Sequence, residues 1–173
     1  MSALVIKVLK PSTLRVDAFR LAFLNEMRKV GTEIKADFNK TTKTWTKSPD
    51  FKFDVQISLA GGPQVEVYTE NEIYGYVDEG TEPHDIWPGF YTGKSKKKVL
   101  AFASKSTPKT IPGVIGSGPG SRGKVDTFRP YVQHPGTKAR NFSKEIQKIW
   151  EPKFKTRMEK ALSQARKASG HAI

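Results

Sequence analysis

Two long segments of helical periodicity bracket this chain, and they constrain its fold more than any other feature. In residues 13–39 and again in residues 142–168, large apolar residues recur every three or four positions, which places them on one face of a helix. Asn141 is positioned to cap the second helix, and Pro152 predicts a kink or a restart within it. The apolar stripes are Val16, Phe19, Phe23, Met27, Val30, Ile34 and Phe38, then Phe142, Ile146, Ile149 or Trp150, Phe154, Met158, Leu162 and Ala165.

The segment between the helices has the patterns of antiparallel strands. Residues 51–59 alternate strictly between apolar and polar side chains, a pattern typical of a half-buried strand, and a Gly-Gly-Pro turn leads into a paired strand at residues 65–69. Three further strands are predicted at residues 73–77 (ending at Gly80), 99–103 and 127–132, where Pro130 suits an edge or a bulge. We therefore expect an α+β fold: one domain, residues 1–173, with an antiparallel β-sheet of about five strands flanked by the long N-terminal helix and the C-terminal helix.

Charge divides the chain into two parts. Residues 1–93 hold 11 Lys/Arg and 13 Asp/Glu, whereas residues 94–173 hold 19 Lys/Arg and 4 Asp/Glu, so the net charge is −2 for the first part and +15 for the second. Within the basic part we expect a flexible loop at residues 104–125 and a basic C-terminal helix or tail at residues 153–173. An acidic middle and a basic end can bind nucleic acid, or can bind copies of the same chain head to tail.

Composition excludes several classes of protein. The chain has no cysteine, which excludes disulfides and thiolate metal sites and fits a reducing cytosol. No apolar run approaches the roughly 20 residues of a membrane span, so we expect no membrane partner. The first ten residues contain lysines that interrupt any signal-peptide pattern. These features predict a soluble intracellular product.

Motifs for catalysis are weak. Residues 118–124 match the GxxxxGK part of a phosphate-binding loop, but Val125 replaces the Ser/Thr that would hold Mg²⁺, and no helix begins there. No nucleophile elbow or carboxylate pair in a recognisable setting appears. The residues that can be offered as metal ligands are Glu82, His84, Asp85 and His134. A metal site needs three convergent, fixed ligands, whereas Glu82, His84 and Asp85 lie on one proline-flanked turn, so we expect no metal. Without a catalytic motif we also expect no cofactor and no enzymatic activity.

Nucleic-acid binding is a stronger alternative. Aromatic residues interleave with lysine-rich segments, and aromatic rings can stack bases while lysines hold phosphates. The candidate cations are Lys96, Lys97, Lys98, Lys153, Lys155, Arg157 and Lys160, and the aromatic residues are Phe90, Tyr91, Phe102, Phe128 and Tyr131. These aromatic residues lie at strand spacing, which favours a place in the core, and no recognised nucleic-acid-binding module is present.

Two short stretches carry a resemblance to a known family. The first is Ile-Tyr-Gly-Tyr-Val-Asp-Glu-Gly-Thr at residues 73–81, and the second is His-Pro-Gly-Thr-Lys-Ala-Arg-Asn-Phe at residues 134–142. An aromatic-rich strand ending in Glu-Gly-Thr, followed later by a His-Pro-Gly-Thr turn and a terminal helix, resembles the tail-completion and head–tail connector (neck) proteins of long-tailed phages and prophages, which include minor tail protein Z. The likeness spans roughly residues 13–165.

The resemblance implies a structural virion protein without catalytic activity. Such a protein joins or completes the tail at the head–tail joint as part of a ring, expected to be sixfold. Its implied partners are copies of itself and other neck or tail proteins, and contact with DNA in the channel is compatible with the resemblance. Its implied location is the virion, after a period in the host cytoplasm during assembly. Tail completion, tail terminator and neck remain alternatives, as does a basic nucleic-acid-binding domain.

The resemblance also marks candidate interface residues. These are Glu79, Gly80, Thr81, Glu82, His134, Gly136, Thr137, Lys138 and Arg140. Gly136 fits a type II turn after Pro135, since glycine accepts φ > 0, and Gly80 is expected to do the same. Most of the set is therefore interpreted as a signature of the fold. Lys138 and Arg140 are expected to be exposed and to contact a neighbouring subunit.

Overall fold

The computed structural model describes residues 16–58, 62–103, 105, 110, 112–116, 120 and 123–168. Its elements are α1 (Val16–Thr41), β1 (Lys52–Ser58), β2 (Gly62–Tyr68), α2 (Glu72–Glu79), β3 (His84–Ile86), β4 (Leu100–Phe102), β5 (Thr127–Arg129), β6 (Val132–His134) and α3 (Phe142–Ala168). The α+β class is confirmed. The sheet of about five strands is wrong, because the strands form three separate two-stranded antiparallel sheets: β1–β2, β3–β6 and β4–β5.

The two long helices pack along each other, and α1 also packs against the β1–β2 hairpin. Both predicted apolar stripes are confirmed where they are described: Met27, Val30 and Phe38 are buried on α1, as are Phe142, Ile146, Trp150, Met158 and Ala165 on α3. Trp150 rather than Ile149 enters the core, since Ile149 is 40% exposed. Residues 13–15, the side chain of Val16, residues 59–61 and the tail at residues 169–173 lie outside the described residues, so of the predicted Gly-Gly-Pro turn at residues 61–63 only Gly62 and Pro63 are described, as the start of β2.

The predicted strand at residues 73–77 is a helix instead. Asn71 caps α2, because its side-chain oxygen accepts a hydrogen bond from the backbone N–H of Tyr74 at 3.0 Å. Tyr74 and Asp78, four residues apart, are the two buried side chains of this helix. The ring of Tyr74 meets that of Phe51 edge to face, with centroids 4.9 Å apart. This helical spacing, and the cap before it, outweighed the β-rich composition of the segment.

Helix α3 runs from Phe142 to Ala168 as one element, so it does not stop and restart at Pro152. Pro152 lacks the N–H that would bond the carbonyl of Lys148, four residues earlier. Both residues are exposed, so water can take up the free carbonyl. Solvent on this face therefore explains why the proline is tolerated.

The four short strands together form an interrupted hairpin. In it, β3 pairs with β6 and β4 pairs with β5, both antiparallel, so the chain goes out along β3 and β4 and returns along β5 and β6. The predicted strand at residues 127–132 is split at Pro130, which confirms that this proline does not suit a continuous strand. Among the described residues of 82–134 only Pro88 and Thr110 are buried. The interrupted hairpin thus contributes little to the core.

A pH-dependent contact joins the two long helices. The carboxylate of Asp37 accepts hydrogen bonds from Trp150 Nε1 at 2.8 Å and from Lys40 Nζ at 2.6 Å. Burial raises the pKa of Asp37, but the bonds from Lys40 and Trp150 outweigh it, so the net pKa lies below its usual value. A lowered pKa means that the ionised carboxylate stabilises the fold above about pH 4, and that this contribution is lost as pH falls through the folded-state pKa.

We expect Asp37→Asn to lower the free energy of unfolding by about 1 kcal/mol at pH 7, since hydrogen bonds to a charged group are weakened. The difference from the unmodified protein should shrink as pH falls below about pH 4 and Asp37 becomes protonated through its lowered folded-state pKa. Urea denaturation at pH 7 and at pH 2.5 measures both values. Asp50→Asn, at an exposed carboxylate 3.8 Å from Lys35, is the control and should change little at either pH. An Asp37→Asn effect of equal size at both pH values would contradict this assignment.

Candidate functional site

The two stretches that carry the family resemblance are brought into direct contact. We call this contact the junction and define it as residues 77–82 and 134–143. Its centre is an isolated antiparallel bridge in which the N–H of Thr81 donates to the carbonyl of Thr137 at 2.9 Å and the N–H of Thr137 donates back at 3.1 Å. The hydroxyl of Thr81 also accepts from the N–H of Thr137 at 2.9 Å. The candidates Thr81 and Thr137 therefore bind each other.

Two glycines allow the segments of the junction to approach this closely. Gly80 has φ +83°, and a Cβ there would lie 2.6 Å from the carbonyl oxygen of Thr137. Gly136 has φ +88°, and a Cβ there would collide with the carbonyl oxygen of Thr81. The prediction that both glycines adopt positive φ is confirmed. The structure adds that each faces the backbone of the opposite segment, so both positions also lack room for a side chain.

Asp78 joins helix α2 to the start of helix α3. Its side chain is 6% exposed, and its carboxylate accepts hydrogen bonds from the N–H of Ser143 at 3.2 Å and from the Ser143 hydroxyl. Asn141 occupies the N-cap position, since its carbonyl accepts from the N–H of Glu145 at 3.0 Å. The capping carboxylate, however, comes from Asp78, which precedes Ser143 by 65 positions in the sequence. The sequence signal that bears on Asp78 is its spacing of four residues from Tyr74, which places both side chains on one face of a helix.

Arg140 is buried, which contradicts the expectation that it is exposed for contact with a neighbour. Its side chain is 9% exposed, and its Nε donates to the hydroxyl of Thr110 at 3.1 Å. Its backbone N–H donates to the carbonyls of Val77 and Asp78, and its carbonyl accepts from Gly113. Arg140 thus ties α2 to part of the loop predicted at residues 104–125, whose described residues include no helix or strand. Lys138 is exposed, as expected.

The remaining acidic candidates belong to an exposed surface beside the junction. We call this surface the acidic face. On α2 the residues Glu72, Ile73, Tyr76 and Glu79 are exposed, as is Glu82 just beyond the helix. Ile73 and Tyr76 are 63% and 55% exposed. Their spacing of three, four and seven residues puts the helical members on one side of α2, so the surface combines negative charge with two large apolar side chains.

The histidine candidates form a cross-strand pair. His84 lies opposite His134 in the β3–β6 sheet, with ring centroids 5.1 Å apart. The Nδ1 atom of His134 accepts from the N–H of Gly136 at 3.1 Å, which fixes the ring against the turn. In the described part of the chain, no group of three or more His, Cys, Asp or Glu residues is placed to hold a metal ion. The set Glu82, His84, Asp85 and His134 therefore does not form a metal site.

The nucleic-acid candidates divide into six exposed lysines and one arginine that is held in ion pairs. Lys96, Lys97 and Lys98 are exposed beside β4, and Lys153, Lys155 and Lys160 are exposed on α3. Arg157 is engaged: its guanidinium donates to Glu26 and, at 2.8 Å, to Glu33 on helix α1. Burial lowers the pKa of Arg157, but these two carboxylates raise it above its usual value. Arg157 is therefore a structural residue between α1 and α3.

The aromatic residues of the basic half are exposed, so the expectation that they belong to the core is wrong. Phe90, Tyr91, Phe102, Phe128 and Tyr131 range from 37% to 62% exposed. The interrupted hairpin lacks a second layer of described residues that would cover them, which period-two spacing alone did not reveal. Their exposure makes them available to a binding partner.

Three further findings concern the phosphate-loop match, membrane spans and the comparisons with known proteins. Of the GxxxxGK match at residues 118–124, residues 118–119 and 121–122 lie outside the described residues. Among the helices of the described residues, none has the length and apolar character of a membrane span. No protein-family model, curated protein or solved structure matches the chain.

Proposed function

We propose that this chain is a structural virion protein of a phage or prophage, a tail-completion or neck component that works as a ring of copies at the head–tail joint. The order of the two junction stretches supports the family resemblance. The acidic face is the observation that supports assembly into a ring, because it combines negative charge with large exposed apolar side chains. The other half of the chain is strongly basic.

The acidic face has the composition of an interface. Single exposed apolar residues are common on protein surfaces, but Ile73 and Tyr76 lie together on one side of α2 between Glu72 and Glu79. Residues 53–93 contain no Lys or Arg, so no basic residue of that segment neutralises this charge. A partner that covers the acidic face must therefore supply cations.

A second copy of the chain supplies such cations. Residues 94–173 hold 19 Lys/Arg against 4 Asp/Glu, and Lys138 and the lysines of α3 are exposed. When an acidic surface meets a basic surface elsewhere on the same molecule, the contact is heterologous, and it closes into a ring if the rotation per copy allows. Opposite charges would guide this assembly and oppose wrong arrangements.

The junction gives the proposed interface a fixed geometry. The Asp78 carboxylate and the Thr81–Thr137 bridge attach the C-terminal end of α2 to the start of α3, which holds the acidic face in one orientation relative to the rest of the chain. The glycine and threonine candidates act in this framework. Glu79, Glu82 and Lys138 are the candidates that remain available for contact with a neighbour.

The proposal predicts that reversing charge on the acidic face prevents joining of heads and tails. In a parent phage or prophage deleted for this gene and complemented with the Glu72→Lys/Glu79→Lys variant, we expect separate DNA-filled heads and tails by negative-stain microscopy. Because like charges facing each other cost several kcal/mol, infectious titre should fall at least about 100-fold. Glu151→Lys/Glu159→Lys makes the same charge change at exposed sites on α3 and should give joined particles. Intact particles from the deletion itself would contradict the proposal.

A basic nucleic-acid-binding domain is the second candidate function. The exposed aromatic rings of the interrupted hairpin favour it, since they lie in the same segment as the run of lysines at residues 94–98. Arg157 of α3 forms ion pairs with Glu26 and Glu33 of α1, which argues against nucleic-acid binding through the basic residues of α3.

A further inference from the structure

The interrupted hairpin carries a cluster of open aromatic rings that no part of the proposed connector function uses. The rings of Trp87 and Tyr131 are stacked, with centroids 5.2 Å apart and planes inclined by 21°. Tyr91 meets Trp87 edge to face at 6.1 Å, and Phe90 meets Tyr91 in the same way at 5.4 Å. Each of the four side chains is between 48% and 62% exposed. Together with Lys94, Lys96, Lys97 and Lys98 they form what we call the aromatic–lysine patch.

The backbone holds the patch in place. Ile86 lies opposite Val132 in the β3–β6 register, so Trp87 and Tyr131 follow as neighbours at the end of that sheet. The turn between β3 and β4 is closed by hydrogen bonds from the N–H of Lys94 to the carbonyl of Gly89 at 2.7 Å and from the N–H of Phe90 to the carbonyl of Lys97 at 3.1 Å. The aromatic rings are thus positioned before any partner arrives.

The lysines of the patch follow three of its aromatic residues closely in sequence, and one of them lies against a ring. The Nζ atom of Lys98 is 5.0 Å from the centroid of the Phe90 ring, a cation–π contact. Considering the described residues alone, none of the four lysines forms a salt bridge. Residues 86–103 contain these four lysines and no Asp or Glu. The partner that suits this surface is therefore an anion with flat apolar groups.

A nucleic acid fits this surface better than an acidic protein does. At the centre of protein–protein interfaces, aromatic residues are accompanied by arginine rather than lysine, and charged residues are left to the polar rim. The aromatic rings of residues 86–103 are accompanied by lysine alone. Phosphates need only point charges, which lysine supplies. Open ring faces bind unpaired bases by stacking, and the bases of a duplex are already stacked on each other. These differences select a single strand.

We propose that the aromatic–lysine patch binds single-stranded nucleic acid without sequence preference, with bases stacked on Trp87, Tyr91 and Tyr131 and with phosphates held by the lysines of residues 94–98. This function does not require the chain to be a virion connector. It predicts a surface that recognises unpaired bases through their π-faces and the backbone through its charge.

The test is fluorescence anisotropy of the full chain with labelled 20-nucleotide dT and rU strands and with a mixed-sequence duplex of the same length. We expect both single strands to bind more tightly than the duplex. Lys94→Gln/Lys96→Gln/Lys97→Gln/Lys98→Gln should weaken binding at least about 100-fold in 0.1 M salt and reduce the salt slope by about 3, because each phosphate contact on a single strand contributes about 0.7 to that slope. Tyr91→Ala should weaken binding roughly tenfold without changing the slope.

A conservative variant separates stacking from folding. Oligonucleotide binding should quench tryptophan fluorescence through stacking on Trp87, and Trp87→Phe should lose most of this quenching while keeping binding within about threefold. Lys153→Gln/Lys155→Gln/Lys160→Gln on α3 is the charge control and should keep most of the affinity. Three results would each overturn the proposal: absence of single-strand binding, equal binding of the duplex, or equal losses for the α3 control. If variants of the aromatic–lysine patch lost self-association but bound the oligonucleotides unchanged, the patch would belong to a protein partner, and the proposal would be overturned as well.

Discussion

The Gly136→Ala variant is expected to lose about 3 kcal/mol or more of its free energy of unfolding. Alanine at φ +88° is strained by about 1–2 kcal/mol, and its Cβ would collide with the carbonyl oxygen of Thr81, which is itself fixed by the bridge to Thr137. Backbone on both sides of the contact must move to relieve the collision. Gly80→Ala should have a similar effect, since its Cβ would approach Thr137 from the other segment. Chemical denaturation followed by circular dichroism measures both.

Gly75→Ala is the matched control for these two variants. Gly75 lies inside helix α2, its φ is negative, and a Cβ there meets no atom within 4 Å. Because alanine favours a helix over glycine by about 0.5–1 kcal/mol, this variant should be slightly more stable than the unmodified protein. Equal stability of the Gly75→Ala and Gly136→Ala variants would show that the junction does not hold the fold together.

The Asp78→Ala variant is expected to lose about 3 kcal/mol of its free energy of unfolding. Two hydrogen bonds to a buried carboxylate are removed, each contributing about 1.5 kcal/mol or more, and the N-terminus of α3 loses a negative charge that its dipole favours. The neighbouring exposed Glu79→Ala should change stability by less than about 0.5 kcal/mol. Urea denaturation of the two variants side by side gives the comparison.

A double-mutant cycle tests whether Asp78 acts through Ser143. If the carboxylate acts as the cap of α3, the losses of Asp78→Ala and Ser143→Ala should not add, because each change removes part of the same contact. Fully additive losses would place the contribution of Asp78 elsewhere. A large coupling would make the junction a rigid support for the acidic face, which is the arrangement that a ring interface needs.

These variants also separate framework from function. Changes at Gly80, Asp78 and Gly136 should lower stability, whereas Glu72→Lys/Glu79→Lys should leave stability nearly unchanged and affect assembly only. The aromatic–lysine patch lies outside both sets, so its variants should alter neither the unfolding free energy of the core nor the joining of heads and tails. A variant that lowered stability, prevented assembly and abolished oligonucleotide binding together would indicate global unfolding.

The amino-acid sequence alone determined the elements whose period is unambiguous. The stripe through Met27, Val30 and Phe38 predicts α1, and the strict alternation at residues 51–59 predicts β1, because each period fits only one kind of backbone. The positive φ of Gly80 and Gly136 also followed from local chemistry. Residues 73–77 were misjudged because four of these five residues have aromatic or β-branched side chains, which fit a short strand as well as a turn of helix.

Only the tertiary structure decided which residues meet across long separations. Asp78 caps a helix that begins after residue 141, Arg140 turns inward to Thr110, and Arg157 turns toward α1; none of these partners is near in sequence. Tertiary packing also decided that the strands stay in pairs, which leaves the aromatic rings of the interrupted hairpin exposed. The periodicity of a sequence shows which face of a helix or strand is apolar. Whether another element covers that face depends on contacts between distant segments, which local sequence patterns do not specify.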